Sequence, residues 1–175
     1  MKLSPNFTLN EFLRSKTADK LGIDNSHYTP QQLRCMKALC NVVLEAIRGK
    51  VREIYPDALV VVTSGLRCPA LNQEVKGQPN SQHLRGQAAD IKVTNRAGVQ
   101  IMTPQRLFDF VLSEGIVYDQ VIQEFGEWCH ISYNPTRGSH QRHAAFYAYR
   151  NRRGKTIFSD YPPPVSKVIA DFTPT

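Results

Sequence analysis

The sequence has no apolar run long enough to cross a membrane, no CxxC pair among its four cysteines, and no internal repeat or low-complexity segment. The first absence excludes a membrane-spanning helix, and the second leaves no paired-thiol motif. The opening residues, MKLSPNFTLNEF, lack an unbroken apolar stretch behind the lysine, so no signal peptide is recognisable. A chain made without one is expected in the cytoplasm. Cys35 and Cys40 lie five residues apart on a predicted helix and turn away from each other, which argues against a mutual disulfide. Four reduced thiols are expected, in keeping with a reducing compartment.

Negative charge is missing from one region. Between positions 128 and 159 there is no acidic residue, while Arg137, Arg142, Arg150, Arg152, Arg153 and Lys155 all fall there. The other sixteen basic residues nearly cancel the fifteen acidic ones, so the net charge of +7 is concentrated in this stretch. Such a region attracts a polyanion; it is equally the solvated edge of a fold.

What is present suits one globular domain. A chain of 175 residues, 41% hydrophobic and 21% charged, is large enough to bury a single core without staples. Thr8 with Glu11 caps a short N-terminal helix, and residues 18–28 read as a polar connection in which His27 is an exposed loop residue. Thr29, Pro30 and Gln32 open a helix whose Leu33, Met36, Cys40, Val43 and Ile47 recur at helical spacing, with Gly49 as its stop. Residues 59–63 read as a buried strand, and residues 88–94 alternate so that Ala88, Asp90 and Lys92 share one side and Ala89, Ile91 and Val93 the other. Thr103 and Pro104 open a second helix, ended by Gly115. Strands over 120–125 and 128–133 form a hairpin, a further strand covers 143–149, NRRGK is a turn, and the proline-rich segment at 161–164 cannot continue a helix or central strand. Early helices followed by strands with one inserted helix predict an α+β fold around a mainly antiparallel sheet. The expected organisation is a docking segment over 1–28, a core over 29–150 and an extension over 151–175.

Between the first two strands the chain loses its apolar period and carries SGLRCPALNQEVKGQPNSQHLRGQAAD. A loop that donates His83 and a strand that donates Asp90 converge more readily than a helical pair, since Gly86 intervenes. With His130 on the second hairpin strand they make two imidazoles and one carboxylate, a donor set suited to one zinc ion with an open position.

The segment at 81–90, SQHLRGQAAD, resembles the S-x-H-x-x-G-x-A-x-D signature of the zinc D-Ala-D-Ala peptidases, the M15 family of carboxypeptidases, dipeptidases and L-Ala-D-Glu endopeptidases of phage lysins. Ser64, Gly65, Leu66 and Arg67 resemble that family's S-G-x-R element, and EWCH at 127–130 its E-x-x-H element. The opening FTLNEFLRSKTADKLGIDN is similar to the leader of its small bacterial and phage-encoded members. The resemblance covers residues 5–134 and implies the Hedgehog/DD-peptidase fold. It further implies one catalytic zinc held by His83, Asp90 and His130, Glu127 as general base and Arg67 facing the developing oxyanion, with Ser81, Gln82 and Trp128 toward the substrate. The implied substrate is a peptidoglycan peptide, cut by carboxypeptidase or endopeptidase action. The expected partners are this peptide and an anionic cell-wall polymer, not nucleic acid; a monomer is expected, reaching the wall by a phage-type lysis route.

In an uninterrupted strand Glu127 would point away from His130, so the base requires Glu127 to sit in a turn at Gly126; Glu124 replaces it if Glu127 faces solvent. His140 and His143 are surface histidines before they are a second metal pair. Cys68 and Cys129 flank Arg67 and His130 and offer a thiolate alternative. Asp119 starts the hairpin or braces a ligand histidine. Two other functions compete: a binding module that keeps zinc for structure, and a nucleic-acid binder built on the basic region. The Glu127→Gln exchange separates the first from a peptidase, and binding at roughly 0.15 M salt tests the second.

Overall fold

A computed structural model describes residues 1–160; the proline-rich segment at 161–164, expected to interrupt regular structure, lies outside them. Short helices α1 (Leu9–Leu13) and α2 (Lys16–Leu21) open the chain. The second falls where a polar connection is expected. It buries only Ala18, so it has no apolar stripe to read, and its ends are set instead by Ser15, which accepts from Ala18 N, and by Gly22 in the left-handed region.

Thr29 and Gln32 form the expected capping box at the start of α3 (Pro30–Leu39), which continues through a π turn (Cys40–Leu44) into α4 (Glu45–Ile54). Gly49 is therefore not the stop. A lone glycine costs about 1 kcal/mol in a helix, and Ile47 and Val51, both fully buried on either side of it, hold the chain helical. The helix ends before Pro56, which disfavours helical backbone at Tyr55.

The remaining elements are β1 (Leu59–Ser64), α5 (Pro69–Glu74), a 3-10 turn (Gln82–Arg85), β2 (Ala88–Thr94), β3 (Gln100–Met102), α6 (Pro104–Ser113), β4 (Gln120–Glu124), β5 (Trp128–Ser132), a second 3-10 turn (Pro135–Arg137), β6 (Ala144–Arg150) and β7 (Thr156–Asp160). The sheet runs β1-β2-β5-β4-β6-β7, with β3 also paired to β2. Every pairing is antiparallel except β4 with β6. The domain is an α+β fold with a mainly antiparallel sheet, as expected; β7, after the NRRGK turn, is an additional strand.

Strand alternation gives this sheet two unlike faces. Ala89, Ile91 and Val93 of β2, Val121 of β4 and Cys129 and Ile131 of β5 pack with Met36, Leu39, Val43 and Ile47 of the long helix and Leu107, Phe108 and Val111 of α6. Asp90, His130 and Ser132 project from the other face, which floors a groove.

The N-terminal segment closes one end of the core. Phe12 is fully buried, and Arg14 Nη2 donates to Val62 O of β1 at 3.2 Å. Gly65 permits this approach: a Cβ there would stand 2.6 Å from Phe12 Cα and 2.7 Å from Phe12 O. Backbone cannot yield as a side-chain tip can. Gly65→Ala is therefore expected to lower the unfolding free energy by about 2 kcal/mol, read as a lower urea midpoint at unchanged slope; a midpoint equal to the parent protein's would contradict the packing described.

Candidate metal centre and groove

Asp90 and His130 are direct cross-strand partners in the β2–β5 ladder, which puts both side chains on the groove face. His83 comes from the 3-10 turn. Ser81 caps that turn by accepting from His83 N, and Gly86 ends it in the left-handed region, where a Cβ would meet Gln32 O at 2.8 Å. Gln32 Nε2 donates to Leu84 O at 2.8 Å, so the helix α3 fixes the turn. The register of the turn is set again at Arg67, whose backbone N donates to His83 O.

The three side chains meet. His83 Nε2 lies 3.2 Å from Asp90 Oδ1 and 3.1 Å from His130 Nδ1, and His130 Nδ1 is 3.1 Å from Asp90 Oδ1. Among the described residues this is the one group of three or more histidine, cysteine or acidic side chains close enough to share an ion. His83 Nδ1 donates to Gly65 O at 2.6 Å; a carbonyl only accepts, so Nδ1 carries a proton and Nε2 is the nitrogen turned toward Asp90 and His130. Two histidine nitrogens and a carboxylate oxygen therefore form a triangle that protons alone satisfy poorly. Its sides are close to the roughly 3.3 Å separating adjacent ligand atoms around tetrahedral zinc. The donor set fits zinc.

Asp90 is buried, and burial alone would raise its pKa; the imidazoles of His83 and His130, through charge and hydrogen bonds, instead hold the carboxyl well below the usual range. Its outer oxygen, Oδ2, accepts from Arg67 Nη2 at 2.7 Å, while Arg67 Nε donates to Ser64 Oγ. In this arrangement Arg67 orients a carboxylate of the cluster and also borders the groove.

Glu127 and Glu124 are placed differently. Glu127 lies in the turn between β4 and β5, as the parity of the strand requires; it is exposed and borders the groove. Glu124 pairs with Trp128 across the hairpin, two ladder positions from Ile122 and His130, and so shares the face that carries His130. Burial first, and then the negative charge of Asp90, raises the Glu124 carboxyl against the opposing pull of His130 and Arg67. Trp128 is half-buried, its ring edge-on to Phe125 at 5.8 Å between centroids.

The other sequence candidates stay apart. Cys129 is wholly buried on the helix-covered face, where burial pushes its thiol up, and Cys68 caps α5 by accepting from Leu71 N. All four cysteines are free thiols. His140 and His143 are exposed, and the His143 ring packs against Tyr118.

Asp119 is more than the start of a hairpin. It is 1% exposed and accepts from Arg142 N, Arg142 Nε and Nη2, and Gln82 Nε2, with Arg137 Nε 3.5 Å away. Sequence reasoning missed the Asp119–Arg142 pair because the partners are 23 residues apart in irregular segments. The basic region is accordingly not one open patch: Arg137 and Arg142 face Asp119, and the Arg150 guanidinium lies over the Phe125 ring.

The groove holds about 1220 Å³ and runs past the cluster from Arg14 and Lys76 to Arg142 and Phe158. An antiparallel sheet with helices on one face and a buried three-donor cluster with an arginine-braced carboxylate on the other is the layout of a metal-dependent hydrolase of the α+β class. The family model described as peptidase M15 matches residues 5–132. The chain belongs to peptidase family M15, whose members are zinc-dependent peptidases, and its fold is compatible with theirs. No curated protein matches it significantly.

Asp119 generates a prediction about stability. Burial would raise its pKa, but the side-chain and backbone hydrogen bonds from Arg142 and the charges of Arg142 and Arg137 lower it below the ordinary carboxylate value. A depressed folded pKa means that the contribution is present above the unfolded pKa, near 4, and is lost as pH falls through the folded value. Asp119→Asn is expected to cost about 2 kcal/mol at pH 7, with Arg142 half-exposed and so partly screened. In urea titrations the gap between parent and variant should begin to narrow as pH falls below about 4; a gap that stays constant from neutral pH through the acid range would exclude an ionic origin.

Proposed function

We propose that the protein hydrolyses a peptide bond in peptidoglycan-type peptides, with His83 Nε2, Asp90 Oδ1 and His130 Nδ1 holding one zinc ion. The observation that carries this reading is the triangle of buried donor atoms, 3.1 to 3.2 Å on each side, open to a groove long enough for an extended peptide. When bound, zinc supplies a Lewis acid for the scissile carbonyl and favours ionisation of the attacking water.

The chain's own groups complete the chemistry. Glu124, rather than the exposed Glu127, is the proposed general base: it shares the groove face with His130, and its raised pKa suits a group that accepts a proton from water and delivers it to the leaving amine. Arg67 keeps Asp90 ionised and oriented through Oδ2, and its fixed positive charge beside the groove favours negative charge growing on the carbonyl oxygen. Trp128 offers an apolar wall, and Ser81 and Gln82 shape the rim next to His83. A polyanion-binding role has less support, because the basic residues do not form one open patch: Arg137 and Arg142 face Asp119 and the Arg150 guanidinium lies over the Phe125 ring.

Metal analysis and turnover of peptides ending in D-Ala-D-Ala or containing L-Ala-D-Glu test the reading together. Glu124→Gln is expected to retain one zinc per chain and lose activity by about 10²–10⁴-fold, while Glu127→Gln stays within a few-fold of the parent. His83→Ala and His130→Ala should lose the metal. The reverse order of the two glutamate variants would return the base to Glu127, and a zinc-replete protein inert on every such peptide would favour a module that uses the ion structurally.

A further inference from the structure

The corner formed by Asp119, Arg142 and Gln82 is built beyond what the fold requires. Asp119 is buried and takes the Nε and Nη2 edge of the Arg142 guanidinium. A guanidinium has five N–H donors in a planar fork, so one edge can be tied down while the other remains able to grip a second carboxylate. The Arg142 side chain is 42% exposed and borders the groove. It is held from behind as well, since its backbone N donates to Asp119 Oδ1 at 3.1 Å and Ala144 N to Asp119 O at 3.1 Å. With Arg137 also beside Asp119, two cations stand against one anion, leaving a positive balance at this end of the groove.

Gln82 adds the complementary group. An ionised carboxylate only accepts, so the Gln82 amide must turn Nε2 toward Asp119, at 3.0 Å, and its oxygen away. That Oε1 is buried without a partner, on a residue 8% exposed that borders the groove. A buried carbonyl oxygen with no donor is costly and awaits an N–H. The corner thus offers a fixed guanidinium and an orphan acceptor side by side. A phosphodiester, which has no O–H or N–H, would use only the first. A peptide residue whose α-carboxylate and amide N–H leave the same carbon would use both.

Strand geometry places the backbone beside this corner close to that of the metal centre. Gln120, next to Asp119, pairs with Ser132, two residues along β5 from His130, which is about 7 Å. Two residues of extended peptide span the same length. We propose that Arg142, fixed by Asp119 and seconded by Gln82, is a carboxylate subsite that selects peptides carrying a free α-carboxylate within about two residues of the bond cleaved. The proposal rests on the peptidase reading for the position of that bond. Arg142 lies outside the residues matched by the family model, while Asp119 and Gln82 lie within them. The carboxylate has two possible sources, the C-terminus of the peptide or the α-carboxylate of a γ-linked glutamate within it. The first makes the enzyme a carboxypeptidase, the second an endopeptidase.

Calorimetric binding to the zinc-loaded Glu124→Gln protein separates them without turnover. One arm compares acetyl-L-Lys-D-Ala-D-Ala with its C-terminal amide; the other compares L-Ala-γ-D-Glu-L-Lys amide with the form whose glutamate α-carboxylate is amidated. In one arm the free acid is expected to bind at least about tenfold more tightly. Adding Arg142→Gln should remove that preference while leaving amide binding within twofold, and Arg142→Lys, which keeps the charge but not the fork, should restore it in part. Equal losses for acid and amide would assign Arg142 a structural role and overturn the subsite, as would the absence of an acid preference in both arms. An acid preference erased by Arg142→Gln, in a protein whose parent hydrolyses none of the four peptides, would leave the subsite standing and remove the peptidase reading instead.

Discussion

A carboxylate taken out of water is the constraint around which this domain is arranged. Asp90 is 4% exposed and keeps its negative charge because positive or polarisable groups meet both of its oxygens: Arg67 on Oδ2, His83 and His130 on Oδ1. An isolated buried carboxylate would neutralise itself by taking up a proton. Each neighbour is therefore obligatory, and each is delivered by a different part of the chain. The β2–β5 register supplies His130, the segment leaving β1 supplies Arg67, and the 3-10 turn pinned by Gln32 supplies His83. Without an ion the three inner donor atoms can only share protons among themselves; with a divalent cation at their centre all three can turn a lone pair to it.

The two faces of the sheet divide stability from chemistry. Because side chains alternate along a strand, Ile91 and Ile131 can anchor the helices while Asp90 and His130, one residue before each, project into the groove. Rigid packing behind the site limits how far the donor atoms can move, which is what a centre with three ligands from two strands and one turn needs. The cross-strand neighbours Glu124 and Trp128 benefit from the same ladder: a slip of one residue would turn both away from the groove together with His130.

Much of this was legible in the residues. Capping signals at Thr8, Thr29 and Thr103, the alternation over β2 and the hairpin of β4 and β5 give the α+β class, because each is a local effect whose cause lies within a few residues. Asp90 could be assigned to the groove side from its own strand alone. The failures are equally physical. Helix α2 buries one residue and has no period to detect, and Gly49 sits inside a helix because the packing of Ile47 and Val51 outweighs its propensity. The choice between Glu124 and Glu127 depends on which residues occupy the turn, and spacing to His130 alone does not give that. Asp119 and Arg142 carry no motif at all; their relation exists only once β6 lies parallel beside β4.

That parallel pairing separates two tasks along the chain. The matched residues end at 132, on the last residue of β5, and contain the whole donor cluster together with Arg67 and Glu124. Among the described residues after them, the 3-10 turn at Pro135–Arg137, β6 and β7 widen the sheet on the side of β4 and extend the groove floor to Phe146 and Phe158. The extension reaches the neighbourhood of the donor cluster through polar relays, among them Arg142 to Asp119 to Gln82, which stops one residue short of His83. A change in the 135–143 segment can therefore alter what the groove grips while the donor triangle keeps its geometry, since the coupling runs through a flexible amide and not through the β2–β5 ladder that fixes Asp90 and His130. Donor cluster and groove rim are in this sense mechanically separable within one sheet: the first belongs to strands paired on both edges, the second to a strand and loop added at the side of β4.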